Sequence, residues 1–373
     1  MDRGGTEGAV WKVNMDSGDQ VLYVGFNQDQ SFMTIGTSQG FAIYRLNPLQ
    51  IVHKEGEGYV DSGNFRIVEM YANSQLLALV GAGEQPAFSP RCLTMWNTAQ
   101  HSAICDIYFN DSVLSVQLNK LRIVAATADA VLIYDTSTMK KQHEIRSAHN
   151  PLGLMALSPE HSSCFLLYLS AADMGNFMVY DCYTMQNRRE IEAHRTTLAG
   201  LVINRGGTMA ATVSVKGTII RVFGLPEGQK LYTFKRGMTE ARIYHLSFSA
   251  QLPYLLVCSD SGSLHLFRLS SEYPSNRPPP SQSWTSSLSA AASFLLPDYY
   301  QDSFDKPRAV AVIHSGLEGP FKATLLPGSD SVFLQAYTGL FEVYTVDLVS
   351  GAQPTLGSQG HIQRLPLAML RGT

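Results

Sequence analysis

The sequence predicts an all-β fold, a seven-bladed β-propeller of the WD-repeat type, from three observations. A short strand of alternating apolar residues that ends at an aromatic residue recurs seven times, at Tyr44, Trp96, Tyr134, Tyr180, Phe223, Phe267 and Tyr344. Most successive copies lie roughly 40–45 residues apart, which is the length of a four-stranded propeller blade. Turns rich in Ser and Gly precede several of these strands, at 37–40, 214–217 and 259–262, as hairpin connections require.

Two other fold classes fit this pattern less well. A β-sandwich would not repeat at so long a period, and a parallel α/β sheet would need amphipathic helices between its strands. We find almost no such helices in the sequence. We therefore interpret residues 1–373 as a single propeller domain. The segment 21–40 is expected to help close the ring by strand pairing between the two ends of the chain.

Composition limits the classes of function. Of the 373 residues, 45% are hydrophobic, which is enough for a large core, and 16% are charged. The net charge is −3, so we expect no nucleic-acid partner, and any anion binding must come from a local patch. We see no signal peptide and no apolar stretch of roughly 18 residues that could span a membrane. Five scattered cysteines without a C-x-x-C motif indicate reduced thiols in the cytoplasm.

The last spacing between repeated strands exceeds one blade by about 33 residues, which predicts an insertion at about 270–306. Its first part is rich in Pro and Ser, which is typical of a flexible connection. Four apolar residues then fall on one face of a helix, namely Trp284, Leu288, Ala291 and Leu295. Because no residue between Pro278 and Pro297 is charged, this segment could lie in a membrane interface. The alternatives are a disordered loop or a helix folded back on a blade.

The sequence carries no strong enzyme motif. The tripeptide Asp-Ser-Gly begins at Asp16, Asp61 and Asp260. Aspartic proteases use two such carboxylates, but three copies in a β-protein are more simply explained as turns. Ten histidines are scattered without the H-E-x-x-H motif or a paired spacing that would build a metal site. We therefore expect no catalytic residues, no metal and no cofactor.

A basic cluster is the strongest functional signal. Lys230, Lys235, Arg236 and Arg242 lie close together, opposed only by Glu240. Neighbouring side chains of a strand point to opposite sides, so Lys235 and Arg236 could serve two different anion pockets. Such a pocket needs a cation and oriented donors. Donors flank the pair on both sides, at His194, Ser214, Lys216 and Thr218 and at Ser259, Ser261, Ser263 and His265. The alternative is a solvated basic turn.

Read together, these residues resemble the PROPPIN family. The resemblance runs from 26–44 to 337–347 and is specific in six segments, at 76–91, 150–159, 192–204, 211–223, 232–249 and 259–267. The pattern is most similar to the autophagy-core subgroup of the family. The resemblance implies a β-propeller that binds polyphosphoinositides and acts in autophagy.

The resemblance also implies two lipid sites, one on each side of a hallmark Phe/Leu-Arg-Arg-Gly. Here the motif reads Phe234-Lys235-Arg236-Gly237, and Lys235 keeps the charge but loses the bidentate fork of Arg. The implied first site combines Lys235 with His194, Ser214 and Thr218. The implied second site combines Arg236 with Ser259, Ser263 and His265. The expected ligands are phosphatidylinositol 3-phosphate and the 3,5-bisphosphate, and we expect both cations to be replaceable by Thr without loss of the fold.

The family further has a loop in its sixth blade that dips into the bilayer, and the predicted insertion falls there. Its expected membrane contacts are Trp284, Leu288, Phe294 and Leu295. The implied partners are the autophagy lipid-transfer protein and, in some branches, the conjugation machinery, with 81–91 as a candidate docking loop. We expect a monomeric, cytoplasmic adaptor, peripheral on preautophagosomal, endosomal or vacuolar membranes. The alternatives are a WD-repeat-type protein scaffold without lipid binding and an enzyme built on a propeller.

Overall fold

The computed structural model describes residues 20–55, 63–83, 88–269, 308–348 and 353–361. Within these ranges the strands form seven antiparallel sheets, each made of four strands that follow one another in the chain. All seven repeated aromatic residues lie in the third strand of a sheet. The predicted seven-bladed propeller is therefore confirmed.

The strand bounds follow blade by blade. Blades 1 to 4 contain β1 (Val21–Phe26), β2 (Phe32–Thr37), β3 (Phe41–Leu46), β4 (Leu49–Glu55); β5 (Phe65–Met70), β6 (Leu76–Gly81), β7 (Cys92–Asn97), β8 (Ser102–Tyr108); β9 (Ser115–Leu118), β10 (Arg122–Ala126), β11 (Ala130–Asp135), β12 (Lys141–Arg146); β13 (Met155–Leu157), β14 (Phe165–Leu169), β15 (Gly175–Asp181) and β16 (Gln186–His194). Blades 5 to 7 contain β17 (Leu198–Ile203), β18 (Met209–Ser214), β19 (Ile219–Gly224), β20 (Lys230–Lys235); β21 (Ile243–Phe248), β22 (Tyr254–Ser259), β23 (Ser263–Arg268), β24 (Ala311–His314); β25 (Phe321–Leu325), β26 (Ser331–Ala336), β27 (Leu340–Thr345) and β28 (Thr355–His361).

The sequence of each strand reflects its depth in the blade. The second strands are covered on both faces by neighbouring blades, and β2 and β10 are accordingly buried along their whole length. The outermost strands β12 and β16 are largely exposed and carry Lys, Arg, Gln and Glu. Continuous apolar runs therefore mark the inner part of a blade, and polar runs mark its rim.

Apolar side chains, and not shared strands, join the blades into a ring. The buried residues of the described ranges fall into seven clusters, each between two neighbouring blades. The cluster that closes the ring packs Val24 and Met33 of blade 1 against Phe333 and Phe341 of blade 7. The expectation that 21–40 closes the ring by pairing with the other end of the chain is wrong. The described pairs of β1 and β2 are within blade 1, because one continuous segment supplies all four strands of that blade.

The predicted insertion at 270–306, with Trp284, Leu288, Phe294 and Leu295, lies outside the described residues. It joins β23 to β24 within the sixth blade. In the part of the chain that is described, no helix has the length and apolarity that crossing a bilayer requires. All five cysteines lie in the described ranges, and each is a free thiol.

The first strands of the seven blades surround a cavity of about 240 Å³. Each contributes at least one lining residue, namely Tyr23, Glu69, Gln117, Ala156, Val202, His245 and Lys322. The β1–β2 loop also lines this cavity. The Gln30 side-chain amide donates to the carbonyl of Phe248 at 2.7 Å and accepts from the N–H of Ala250 at 2.9 Å, so it ties together blades 1 and 6, which are not neighbours in the ring.

A polar network lies in the cavity where the ring closes. The Tyr23 hydroxyl donates to the Glu69 carboxylate, and the Lys322 ammonium of blade 7 lies 5.1 Å from the centre of the Tyr23 ring. Burial raises the pKa of Glu69 to about 7, although the Tyr23 hydrogen bond and Lys322 oppose the shift. Burial and the charge of Lys322 lower the pKa of His245 to about 3. The network therefore links blades 7, 1 and 2 with few full charges.

Replacement of Glu69 by Gln should remove a pH dependence of stability. The folded-state pKa of Glu69 lies above its unfolded value of 4.5, so its contribution is fully present below pH 4.5 and is lost as the pH rises through 7. Relative to Glu69→Gln, the unfolding free energy of the wild type should fall by about 1–3 kcal/mol between pH 4.5 and 8. Urea denaturation across this range measures the difference, with Glu227→Gln at an exposed turn as the control. A difference that does not vary with pH would contradict the raised pKa of Glu69.

Candidate functional site

The two candidate cations follow a buried phenylalanine at the end of β20. Phe234 is 1% exposed, and its ring lies 4.8 Å from that of Phe267 in the core between blades 5 and 6. Because side chains alternate along a strand, Lys235 faces blade 4 and Arg236 faces blade 6. The structure thus directs the two cations into two different clefts between blades.

The first cleft lies between blades 4 and 5. In blade 5, Lys235 is paired with Ile219 and Thr212 with Arg221, so Lys235, Arg221, Thr212 and Ser214 share the face toward blade 4. His194 reaches this face from the end of β16, and its Nε2 lies 3.0 Å from Thr212 Oγ1. The structure therefore brings three of the four predicted residues of this site, Lys235, His194 and Ser214, to one cleft.

Both ring nitrogens of His194 already have protein partners. Its Nδ1 lies 3.0 Å from Nη1 of Arg221. A guanidinium can only donate, so Nδ1 accepts and Nε2 carries the proton that is donated to Thr212. His194 is 9% exposed. This geometry suits it to position Arg221 and does not suit it to contact an anion directly.

Arg221 is a cation of the first cleft that the sequence analysis did not assign. Its Nη1 also donates to the carbonyl of Ala193 at 2.9 Å, which fixes the guanidinium between blades 4 and 5. The alternation of side chains along paired strands could have identified Arg221. Arg221 lies two residues after Ile219, the partner of Lys235, and so shares its face. The first cleft therefore holds two cations.

Thr218, predicted to lie in the first site with Lys235, makes a main-chain hydrogen bond with Arg236. It lies in the turn before β19, and its carbonyl accepts a hydrogen bond of 2.9 Å from the N–H of Arg236. This main-chain bond does not place the Thr218 side chain in the first cleft, so the assignment of Thr218 to the first site stays a prediction.

The second cleft contains a chain of hydroxyl groups. Ser259 Oγ lies 2.9 Å from Ser261 Oγ and 3.0 Å from Ser263 Oγ. Ser261 and Ser263 are 2.8 Å apart, and Ser263 Oγ lies 3.1 Å from His265 Nε2. His265 lies two residues before Phe267 and stacks on it, so the two side chains share one face of β23. Because Phe267 packs on Phe234, this face and the hydroxyl chain point toward blade 5 and Arg236. Ser261, assigned to neither site from the sequence, belongs to this group.

His265 is a neutral donor or acceptor at pH 7. Burial, together with the charges of Arg236 and His314, lowers its pKa to about 4. The second cleft thus combines a permanent cation with neutral polar groups, which is a suitable arrangement for an anion.

Arg236 also holds the local fold. It is 9% exposed, and its guanidinium donates to the carbonyls of Gly217 and Thr239, each at 2.6 Å. These bonds join the β18–β19 turn to the segment after β20. Gly217 has a φ of +64°, and a Cβ there would lie 1.9 Å from the Ala241 carbonyl oxygen, so the turn requires glycine. The contacts of Arg236 oppose the expectation that it can be replaced by Thr without affecting the fold.

The protein is open beside the cation pair. A Cβ at Gly237 would meet no atom within 4 Å, and Lys235 is only half-buried. Both clefts open at the same edge of the propeller, because β16, β18, β20 and β22 end there and β19 and β23 begin there. A ligand could therefore reach either cation from one side of the molecule.

A family model and individual relatives match the sequence of this protein over most of its length. The model of the PROPPIN family matches residues 21–332. Autophagy-related protein 18 of Yarrowia lipolytica is 33% identical over 391 aligned residues, which cover 90% of this chain and 94% of that protein. Autophagy-related protein 18 of Saccharomyces cerevisiae (strain ATCC 204508 / S288c) is 33% identical over 330 aligned residues, which cover 70% of this chain and 65% of that protein. The match thus spans less than two thirds of the Saccharomyces relative.

Solved structures share the fold at lower identity. Kluyveromyces lactis Hsv2 with its complete loop 6CD superimposes with a TM-score of 0.73 at 19% identity, covering 92% of this chain and 100% of that one. KlAtg21, in a complex with the coiled-coil of AgAtg16, gives a TM-score of 0.72 at 21% identity over 92% and 99% of the two chains. The family match from the first blade into the seventh, and a relative aligned over nine tenths of the chain, show that this protein belongs to the PROPPIN family, as the resemblance predicted.

Proposed function

We propose that this protein is a non-enzymatic adaptor. It binds phosphatidylinositol 3-phosphate, and also the 3,5-bisphosphate, on membranes and recruits autophagy proteins for autophagosome formation. The observation that supports this proposal best is the division of Lys235 and Arg236 between two clefts at one edge of the propeller. Each cleft offers a cation together with hydroxyl groups, which is what a phosphate monoester needs.

In the first cleft, the Lys235 ammonium would contact a headgroup phosphate beside the Ser214 hydroxyl. Arg221, positioned by His194, would add a second positive charge. Since Lys is a compact point charge and lacks the fork of Arg, this cleft holds its phosphate with fewer directional bonds than the family hallmark would supply.

In the second cleft, the serine hydroxyls would turn from one another to the phosphate. A hydroxyl both donates and accepts and can rotate, so Ser259, Ser261 and Ser263 can exchange their mutual bonds for bonds to phosphate oxygens. Arg236 uses two guanidinium nitrogens for the carbonyls of Gly217 and Thr239, and its charge remains available to the anion.

The positions of the second cleft and the insertion suggest how the propeller meets a membrane. Ser263 begins β23, and the insertion at 270–306 follows the end of the same strand. These points are about 17 Å apart along six residues. Both can touch one flat bilayer only if the propeller stands on the rim of blades 5 and 6. Trp284, Leu288, Phe294 and Leu295 would then add apolar burial at about 25 cal/mol per Å², and two occupied clefts would gain from effective concentration.

In this orientation the other blades stay free for protein partners. The segment 81–91, of which 84–87 lie outside the described residues, follows β6 in blade 2 and is the proposed docking loop. The autophagy lipid-transfer protein and the conjugation machinery are the proposed partners. The KlAtg21 complex with a coiled-coil supports protein docking on this fold. The adaptor would act as a monomer in the cytoplasm and peripherally on preautophagosomal, endosomal or vacuolar membranes.

A WD-repeat-type scaffold without lipid binding is the alternative. It is favoured by the internal bonding of the second cleft, where the serines satisfy one another and Arg236 bonds main-chain carbonyls. In that case the cation and the hydroxyls only stabilise blades 5 and 6, and membranes that carry the lipid would not bind the protein.

Flotation with liposomes separates the two functions. Wild-type protein should float with liposomes that contain phosphatidylinositol 3-phosphate and stay behind with liposomes that lack it. Lys235→Thr should weaken binding at least about tenfold, because a charge-assisted hydrogen bond is worth about 1.5–3 kcal/mol, and replacement of both cations should abolish it. Lys230→Thr, at the exposed start of the same strand, is the matched control. Equal flotation with both kinds of liposome would refute the lipid-binding proposal.

The two cations should also differ in their effect on folding. Arg236→Thr should lower the unfolding free energy by about 1–3 kcal/mol, because it leaves the carbonyls of Gly217 and Thr239 without donors. Lys235→Thr should change it by less than about 0.5 kcal/mol, as is usual for a surface substitution. Urea denaturation of the two variants measures this difference. Equal stability of the two would show that the Arg236 contacts contribute nothing to the fold.

A further inference from the structure

His53, Glu55 and His101 come together at the interface of blades 1 and 2. His53 and Glu55 lie two residues apart on β4 and so share one side of the strand. His101 comes from the β7–β8 turn, 46 positions from Glu55. The His53 Nε2 lies 3.0 Å from Glu55 Oε1, and His101 Nδ1 contacts the same oxygen. The three candidate ligand atoms all lie within 4.8 Å of one another.

The turn that carries His101 does not itself require an imidazole. The side chain of Asn97 accepts hydrogen bonds from the N–H groups two and three residues later, and His101 then adopts a φ of 49°. Blades 3 and 4 repeat this turn with Asp135 and Asp181 as the caps. There, the left-handed position is occupied by Met139 and Met185. The backbone therefore accepts methionine at this place, and the imidazole of His101 supplies chemistry that the turn does not use.

One side of the cluster is packed against the protein, and the other side is exposed to solvent. The His53 ring stacks on Phe41 at 5.9 Å and on His101 at 5.5 Å. The side chains of His53 and Glu55 are 17% and 12% exposed, and that of His101 is 57% exposed. Solvent reaches the cluster through His101.

Two imidazole nitrogens and one carboxylate oxygen are the ligand types that Zn²⁺ prefers. In a tetrahedral site with bonds of about 2.0–2.1 Å, ligand atoms lie about 3.3 Å apart. The His53–Glu55 separation of 3.0 Å is slightly below this value, and all three ligand atoms lie within 4.8 Å of one another, so small side-chain movements would complete the geometry. Three protein ligands leave a fourth position for water.

We propose that His53, Glu55 and His101 form a Zn²⁺ site that fastens the outer strand of blade 1 to blade 2. Sequence analysis expected no metal, because the histidines have no local motif. The ligands meet only when two blades pack together, so metal binding is coupled to the folded ring. A metal-free hydrogen-bonded triad would explain the same contacts, and the two possibilities predict different responses to the ion.

The test uses the purified full-length chain, treated with a chelator and then freed of it. Isothermal titration with ZnCl₂ should give one saturable equivalent at this site, and Co²⁺ should produce the visible absorption of a tetrahedral N/O complex. Added Zn²⁺ should raise the thermal unfolding midpoint, because an ion that binds only the folded state stabilises it. His101→Met, which places in this turn the residue of blades 3 and 4, should weaken Zn²⁺ binding at least about tenfold and abolish the Co²⁺ absorption. Glu55→Gln should do the same.

His149→Gln is the matched control, since His149 is exposed and lies 2.8 Å from Asp129 in an ordinary His–Asp pair. This variant should bind Zn²⁺ like the wild type. Thermal unfolding without metal establishes that all variants fold. The proposal is overturned if the wild type shows no saturable binding or if His101→Met keeps its affinity. It is equally overturned if His149→Gln loses as much as His101→Met, because the metal would then be bound by surface histidines in general.

Discussion

The burial of Phe234 between blades 5 and 6 is the constraint on which the candidate site depends. Its ring packs on Phe267 near the end of β20. This contact fixes which face of β20 points toward blade 6. Strand alternation then sends Lys235 toward blade 4 and Arg236 toward blade 6. Any change that rotated this strand would move both cations at once. The two clefts are therefore parts of one structural feature, although their donors come from three different blades.

The groups that suit an anion also stabilise the fold around it. Arg236 bonds two main-chain carbonyls, His194 positions Arg221, and the serines of the β22–β23 turn bond one another. A bound phosphate would accept hydrogen bonds from donors that already have partners in the protein. Part of its binding free energy would therefore be offset by the loss of these internal hydrogen bonds. This exchange would limit the affinity of each cleft, and two clefts on one edge would together bind a membrane more tightly than either cleft alone.

The sequence predicted the blades because burial imposes the same alternation on each third strand, with an aromatic residue such as Tyr44 or Phe267 at its end. It also predicted that Lys235 and Arg236 point to opposite sides, since the alternation of side chains along a strand needs no tertiary information. It could not predict the bonds of Arg221, the bonds of Arg236 or the meeting of His53 with His101. These contacts cross between blades or use main-chain carbonyls, which carry no side-chain signature. The prediction that strand pairing closes the ring was wrong for a related reason. Side-chain packing alone joins blade 7 to blade 1, and the sequence does not show which of the two devices is used.

We propose that two separate clefts each hold one phosphoinositide headgroup. Isothermal titration of the wild type with soluble inositol 1,3-bisphosphate, the headgroup of phosphatidylinositol 3-phosphate, tests it most directly. We expect two equivalents for the wild type and one remaining equivalent, of unchanged affinity, for Lys235→Thr. A single equivalent in the wild type, or the loss of both in Lys235→Thr while the variant stays folded, would contradict it.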